Sequence, residues 1–110
     1  EKEIQNWAGI CLDFSHLEND RLLRPDVFEK NMEIIKKNKI GCNHISAIKK
    51  HYHLNEINVK RFDDHFGDSL EEFDYLKKYN KNLFSDYCAI ELNNSIHFQL
   101  KVIDYIKNDN

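Results

Sequence analysis

The chain has 110 residues, which is the length of one domain at most. Its composition, with 41% hydrophobic, 12% aromatic and 32% charged residues, is globular and excludes a disordered or coiled-coil chain. No apolar run approaches the roughly 20 residues that span a membrane, and a net charge of −3 excludes a chain that is basic throughout.

The first half of the chain predicts two strands and one helix. Residues 7–13 form a short, mostly apolar run that ends at a carboxylate, which is typical of a strand buried on both faces. A polar segment to Arg24 predicts a loop, and Pro25 suits the first turn of a helix whose apolar residues recur at helical spacing. Residues 40–46 predict a second buried strand.

The second half predicts a long loop, two helices and a third strand. Residues 47–67 show no clear period and are polar and rich in histidine, which favours a functional loop. The capping-box spacing at 69–72 predicts the start of a helix. An apolar run at 87–92 predicts the third strand, and Asn94 or Ser95 is expected to cap the last helix.

This order of elements predicts an α/β fold in which the strands pair in parallel. A complete eight-unit barrel needs roughly 250 residues. We therefore expect residues 1–110 to be the carboxyl-terminal part of a single (β/α)8 TIM-barrel domain, its last three strand–helix units, incomplete without preceding strands. The alternative is a small three-stranded α/β domain. Its two open sheet edges would predict self-association of the isolated chain as a homo-oligomer.

The three cysteines, Cys11, Cys42 and Cys88, are far apart in the sequence and form no C-x-x-C pair. This spacing argues against a zinc knuckle or a disulfide framework. We expect buried, reduced thiols in an intracellular, cytoplasmic protein. His51 and His53 form an H-x-H pair in the polar loop, where we expect no ligand role.

Polar residues occur at the carboxyl end of each predicted strand: Asp13, His44 and Glu91. In parallel α/β folds the active site forms at that edge. A carboxylate within an apolar strand is unfavourable unless it is paired or bound to a metal. Taken singly, each residue fits a hydrogen-bonded structural role. Taken together, they predict a metal site whose oxygen and nitrogen ligands suit zinc, manganese, cobalt or iron.

Two further pairs of residues extend this set. Asp13 and His16 form a D-x-x-H turn that can place both side chains over the end of a strand. Asp63 and His65 form a D-x-H pair at the end of the long loop, two residues before Gly67. Each pair taken alone fits an ordinary surface turn better than a metal site.

Four short motifs, at residues 12–16, 43–46, 63–67 and 90–92, carry a family resemblance. Their order and spacing resemble the carboxyl-terminal half of the xylose isomerase-like barrel superfamily, over residues 7–106. That group contains the sugar-phosphate isomerases and epimerases and the endonuclease IV family.

The resemblance implies a divalent-metal cofactor (Mn, Co, Zn or Mg) held by Asp13, His44 and Glu91. A fourth ligand, a glutamate, would come from an earlier strand that is not in this chain. His16 would contact the substrate in an epimerase, or bind a second metal in a nuclease.

The leading expectation from this resemblance is a metal-dependent isomerase or epimerase. Its substrate would be a small, sugar-like hydroxy-carbonyl compound, and the metal would stabilise an enediolate. Glu91 would be one of two carboxylates that move a proton on and off carbon, and His16 would hydrogen-bond a substrate oxygen. Phe14 would line the substrate pocket. No membrane partner is expected.

The alternative is an endonuclease IV-like, multi-zinc phosphodiesterase that acts on abasic DNA. In that branch Asp63 and His65 would hold an additional zinc ion, and basic residues flank the loop: Lys49, Lys50, Lys60 and Arg61. However, residues 44–48 depart from the acidic stretch that follows the nuclease histidine, and residues 91–94 are closer to the epimerase-like pattern. A non-catalytic barrel fragment is the third reading.

Overall fold

The computed structural model describes residues 9–50 and 59–108. Trp7, His51 and His53 lie outside these residues. The strands are Ile10–Asp13 (β1), Ile40–Ile45 (β2), Ala47–Ile48 (β3), Asp63–Asp64 (β4) and Cys88–Ile90 (β5). The α-helices are Phe14–Leu23 (α1), Pro25–Lys36 (α2) and Ile96–Asn108 (α3), and 3-10 helices cover Leu70–Lys78 and Lys81–Leu83. Across the described ranges, no helix combines the length and apolar character that a membrane span requires.

The main sheet has three parallel strands in the order β1-β2-β5. The predicted α/β class with parallel strands is therefore confirmed. A second, antiparallel pair of strands, β3 and β4, lies within the segment predicted as a loop, with Ala47 opposite Asp64. Membership of a larger barrel stays a prediction.

A shift in register between β1 and β2 decides which side chains share a face. Ile10 is opposite Ile40, but Cys11 is opposite Cys42, so β2 has one extra residue at Gly41. Such an irregularity moves the following residues to the other face of a strand. The two backbone segments also lie very close together here, because a Cβ atom on Gly9 would lie 2.5 Å from the backbone nitrogen of Gly41. Glycine at both positions permits this approach.

Strands β1 and β2 have one covered face and one open face, whereas β5 has exposed residues on both faces, since Cys88, opposite Asn43, is also exposed. Leu12, Asn43 and Ile45 are 5%, 0% and 1% exposed and lie on the face that packs into the core. On the other face Cys11 and Ala89 are exposed. The expectation that the strands are buried on both faces is therefore wrong.

The predicted loop between β1 and α2 is also wrong, because this segment forms helix α1. Asp13 caps its amino end by accepting a hydrogen bond from the backbone N–H of His16. The helix has no clean apolar stripe, since Ser15, Glu18 and Asn19 are among its buried residues. A pattern of apolar residues could not reveal it.

Other predicted helix features are confirmed. The capping box at Ser69 is present, and the Glu72 carboxylate accepts from the backbone N–H of Asp68 at 2.8 Å. The following segment is a 3-10 helix whose aromatic and aliphatic residues enter the core. For the last helix, the Ser95 hydroxyl accepts from the backbone N–H of Phe98, whereas Asn94 exchanges two hydrogen bonds with Gly67.

A buried carboxylate joins α1 to the 3-10 helix. Glu18 is fully buried and accepts two hydrogen bonds from Arg21, at 2.8 and 2.7 Å, and one from the Tyr79 hydroxyl at 2.8 Å. The Lys78 ammonium lies 3.2 Å away. Burial raises the pKa of Glu18, but the hydrogen bonds from Arg21 and Tyr79 outweigh it, so the pKa lies below its usual value.

We expect Glu18→Gln to lower the free energy of unfolding by about 2 kcal/mol, because the negative charge that strengthens the hydrogen bonds from Arg21 and Tyr79 is lost. The depressed pKa means that the ionised carboxylate stabilises the fold above pH about 4.3, the unfolded value. This contribution is lost as pH falls through the lower folded pKa. The gap between the two proteins in urea denaturation should therefore close in acid. Glu29→Gln, at an exposed position on α2, is the control.

Candidate metal centre

The predicted metal ligands converge at one edge of the main sheet. One ligand atom each from Asp13, His44 and Glu91 lies within 4.8 Å of the other two. His44 Nδ1 lies 2.9 Å from Glu91 Oε1. All three residues are half-buried, so the group is reachable from solvent.

The parallel register creates this convergence. Asp13, the last residue of β1, is opposite His44, near the end of β2. Glu91 follows β5 directly, and its backbone N–H donates to the carbonyl oxygen of Ile45 at 2.8 Å, which continues the sheet by one step. The carboxyl ends of the three strands thus deliver one donor each to the same edge.

The donor set fits a divalent cation. Two carboxylates and one imidazole are common ligands of zinc, manganese and related ions. With metal–ligand distances near 2.1 Å, two donors of a tetrahedral ion lie roughly 3.4 Å apart. His44 and Glu91 would have to separate by about half an ångström to reach that geometry. Three protein ligands leave coordination positions for a substrate or water.

Asp13 combines a structural role with its position in the centre. Its Oδ1 accepts hydrogen bonds from the Ser15 hydroxyl at 2.7 Å and from the backbone N–H of His16 at 3.0 Å. The Ser46 hydroxyl donates in turn to the Ser15 hydroxyl at 2.5 Å, and both serines are buried. These contacts fix the orientation of the Asp13 carboxylate, whose Oδ2 accepts none of these hydrogen bonds and lies 3.5 Å from His16 Nδ1.

Sequence reasoning missed the two orienting serines. Their positions could have indicated this role, because Ser15 comes two residues after Asp13 and Ser46 comes two residues after His44. Hydroxyl groups just beyond a ligand commonly orient it through hydrogen bonds.

His16 lies at the rim of the centre rather than within it. Its side chain is 57% exposed, with Nδ1 3.5 Å from Asp13 Oδ2 and Nε2 3.2 Å from Asp63 Oδ2. An exposed imidazole in this place can turn towards a molecule bound at the strand ends. The predicted contact between His16 and a substrate stays a prediction.

Asp63 and His65 do not join the ligand group. The Asp63 carboxylate is almost fully buried and accepts hydrogen bonds from Arg61 at 2.8 and 3.0 Å. These contacts raise the pKa of Arg61. His65 is half-buried, and its backbone carbonyl accepts from the N–H of Asn93. Within residues 9–50 and 59–108, neither Asp63 nor His65 belongs to a group of three clustered ligand atoms.

Phe14 lies in the core and not in a pocket. It is 0% exposed, stacks on Phe84 with ring centroids 4.4 Å apart, and contacts Tyr79 at 5.5 Å. The expectation that Phe14 lines a substrate pocket is not supported by this position. As the first residue of α1, Phe14 packs this helix against Tyr79 and Phe84, which directly follow the two 3-10 helices.

The cysteines also differ from expectation. Cys11 and Cys88 are exposed and Cys42 is half-buried, so the prediction of buried thiols is wrong. Cys11 and Cys42 lie with His44 in a second group of potential ligands within 4.8 Å. A hydrogen bond with the Cys42 thiol, together with local desolvation and the nearby charges of Cys42, Asp13 and Glu91, raises the pKa of Cys11 to about 11.

No protein-family model, curated protein or solved structure matches the chain. The resemblance to the xylose isomerase-like barrels therefore stays an expectation. The arrangement of Asp13, His44 and Glu91 at the strand ends is the structural indication of function.

We expect Asp13→Asn to separate the two roles of Asp13. Asparagine caps a helix as well as aspartate does, so the free energy of unfolding should change by less than about 0.5 kcal/mol. Binding of Mn²⁺, measured by calorimetry, should weaken at least about tenfold, because even groups that merely orient a ligand have effects of that size.

Asp13→Ala is the companion variant. It should weaken Mn²⁺ binding in the same way and also lower stability by about 1 kcal/mol, because the cap is lost. Unchanged Mn²⁺ affinity in both variants would show that Asp13 is only a helix cap.

Proposed function

We propose that the protein is a divalent-metal-dependent isomerase or epimerase of a sugar or related hydroxy-carbonyl compound. The observation that carries the proposal is the group of Asp13, His44 and Glu91 at the carboxyl ends of three parallel strands. Parallel α/β folds place their active sites at this edge. The exposed imidazole of His16 at the rim supplies a hydrogen-bonding group beside it.

Each residue has a role that follows from its position. Asp13 and His44 would hold the cation, together with one carboxylate oxygen of Glu91. The cation, when bound, would polarise neighbouring oxygen atoms of the substrate and so acidify the adjacent C–H bond. We assign the other oxygen of Glu91 to accepting and returning that proton. His16 donates a hydrogen bond to a substrate hydroxyl or carbonyl oxygen.

We further propose that the three strands belong to a (β/α)8 barrel. The open face of the sheet supports this, because Cys11, Asp13 and His44 are exposed or half-buried there while the opposite face is packed by helices. In a barrel the open face becomes the interior, and the strand ends form the active-site rim.

A multi-zinc phosphodiesterase is less well supported. It needs ligands for two or three ions, yet Asp63 is engaged by Arg61 and His16. Two of the basic residues that would contact DNA are committed to carboxylates, since Arg61 binds Asp63 and Lys49 binds Asp68 and Glu72. A protein that binds no metal would instead support the non-catalytic reading.

Proton exchange tests the proposal directly. The purified protein with Mn²⁺ or Co²⁺ in deuterated water should introduce deuterium next to the carbonyl of a suitable ketose, detected by NMR or mass spectrometry. Glu91→Gln should slow exchange by at least about 100-fold, the usual contribution of a positioned proton-transfer group. Glu71→Gln, at an exposed glutamate, is the matched control.

Metal stoichiometry separates the two enzymatic readings. We expect one Mn²⁺ per chain, whereas two or three zinc ions would favour the phosphodiesterase. Metal binding without deuterium exchange on a broad panel of sugars and sugar phosphates would contradict the isomerase assignment and leave the metal site itself intact.

A further inference from the structure

A second group of donor atoms lies on the open face of the sheet, beside the candidate metal centre. The thiols of Cys11 and Cys42 and one ring nitrogen of His44 all lie within 4.8 Å of one another. Cys11 is exposed, and the other two residues are half-buried. An ion from solvent can therefore reach the group.

Strand register builds this group as it builds the first one. Cys11 is directly opposite Cys42, and Asp13 is opposite His44 on the same pair of strands. Because side chains repeat every two residues along a strand, each cysteine shares a face with the predicted ligand two residues further on. The two thiols thus lie beside each other, two residues before Asp13 and His44, and on strands rather than on loops.

Two thiols and one imidazole are a donor set for thiophilic cations. Zinc–sulfur and zinc–nitrogen bonds of about 2.3 and 2.0 Å place two donors of a tetrahedral ion roughly 3.5 Å apart. Donors already within 4.8 Å need only small side-chain movements to reach that spacing. Sulfur donors favour Zn²⁺ and related soft ions, whereas the carboxylate-rich set favours Mn²⁺ or Mg²⁺.

We propose that Cys11, Cys42 and His44 bind a thiophilic divalent cation such as Zn²⁺ or Cd²⁺. On binding, two S–H bonds break, two metal–sulfur bonds form, and the two protons pass to solvent. Neutral imidazole has one unprotonated nitrogen, so His44 serves one ion at a time. A consequence that rests on the proposed function is inhibition: a bound thiophilic cation takes His44 away from the ligand group with Asp13 and Glu91, and so inhibits the enzyme.

Cobalt absorption tests the sulfur site. Co²⁺ added to the purified protein, with a phosphine reductant that keeps thiols reduced, should give a thiolate-to-cobalt charge-transfer band. Cys42→Ser and Cys11→Ser, the latter at the more exposed cysteine, should each remove most of this band and weaken Co²⁺ binding at least about tenfold. Cys88→Ser is the matched control, because Cys88 lies on neighbouring β5 outside the group. Circular dichroism verifies that each variant is folded.

The band distinguishes this site from the oxygen-rich one. Asp13→Asn should retain it, because Asp13 is not among the sulfur-site donors. Absence of the band in the unmutated protein, or an equal loss in Cys88→Ser, would overturn the proposal.

Competition tests the shared histidine. Cd²⁺ should release bound Mn²⁺, seen as growth of the free-Mn²⁺ signal in electron paramagnetic resonance. Retention of Mn²⁺ beside bound Cd²⁺ would overturn mutual exclusion. Failure of Mn²⁺ to bind at all would instead contradict the proposed function while leaving the cobalt band unaffected.

Discussion

The parallel pairing of β2 with both β1 and β5 determines where every donor of the candidate metal centre lies. Because neighbouring parallel strands run in the same direction, their carboxyl ends meet at one edge, and Asp13, His44 and Glu91 arrive there from separate parts of the sequence. The extra residue at Gly41 is part of this constraint. Without the register shift, Asp13 would be opposite Asn43, and the His44 imidazole would point to the core face. The grouping of Asp13, His44 and Glu91 therefore depends on a local irregularity as much as on the regular sheet.

Asp13 shows that structural and functional explanations of a polar residue need not compete. Its Oδ1 caps the amino end of α1, its Oδ2 lies 3.5 Å from His16 Nδ1, and one of its oxygens lies within 4.8 Å of a ligand atom of His44 and of Glu91. A buried hydroxyl pair, Ser15 and Ser46, links this carboxylate to the junction between β2 and β3, and the Tyr75 hydroxyl donates to the Ser46 carbonyl. A carboxylate whose rotamer is fixed by packing loses little side-chain entropy when it binds a cation. The helix cap is thus also a means of preorganising the site.

Much of the fold and the three converging residues could be predicted from the sequence, because both depend on short local patterns. Apolar runs that end in polar residues indicated the strand ends. Helix α1 could not be predicted, since it buries Ser15, Glu18 and Asn19 and satisfies them with partners distant in the sequence. The contact between Cys11 and Cys42 was equally inaccessible, because a regular register from the first paired residues would set Cys11 against Gly41. Tertiary hydrogen bonds and register are the kinds of information that a single sequence hides.

The distribution of side chains across the sheet argues that its open face is a surface for binding. A face designed to be covered by an apolar layer would carry residues like Leu12 and Ile45, which fill the opposite side. Thiols, carboxylates and an imidazole would instead lose hydration under an apolar layer, at a cost of several kcal/mol for a charged group. A bound cation can replace that hydration, whether the face stays open to solvent or lines the interior of a barrel. The chemistry of this face therefore suits metal ligation in either architecture, and His44, common to both donor sets, is the residue through which the two would communicate.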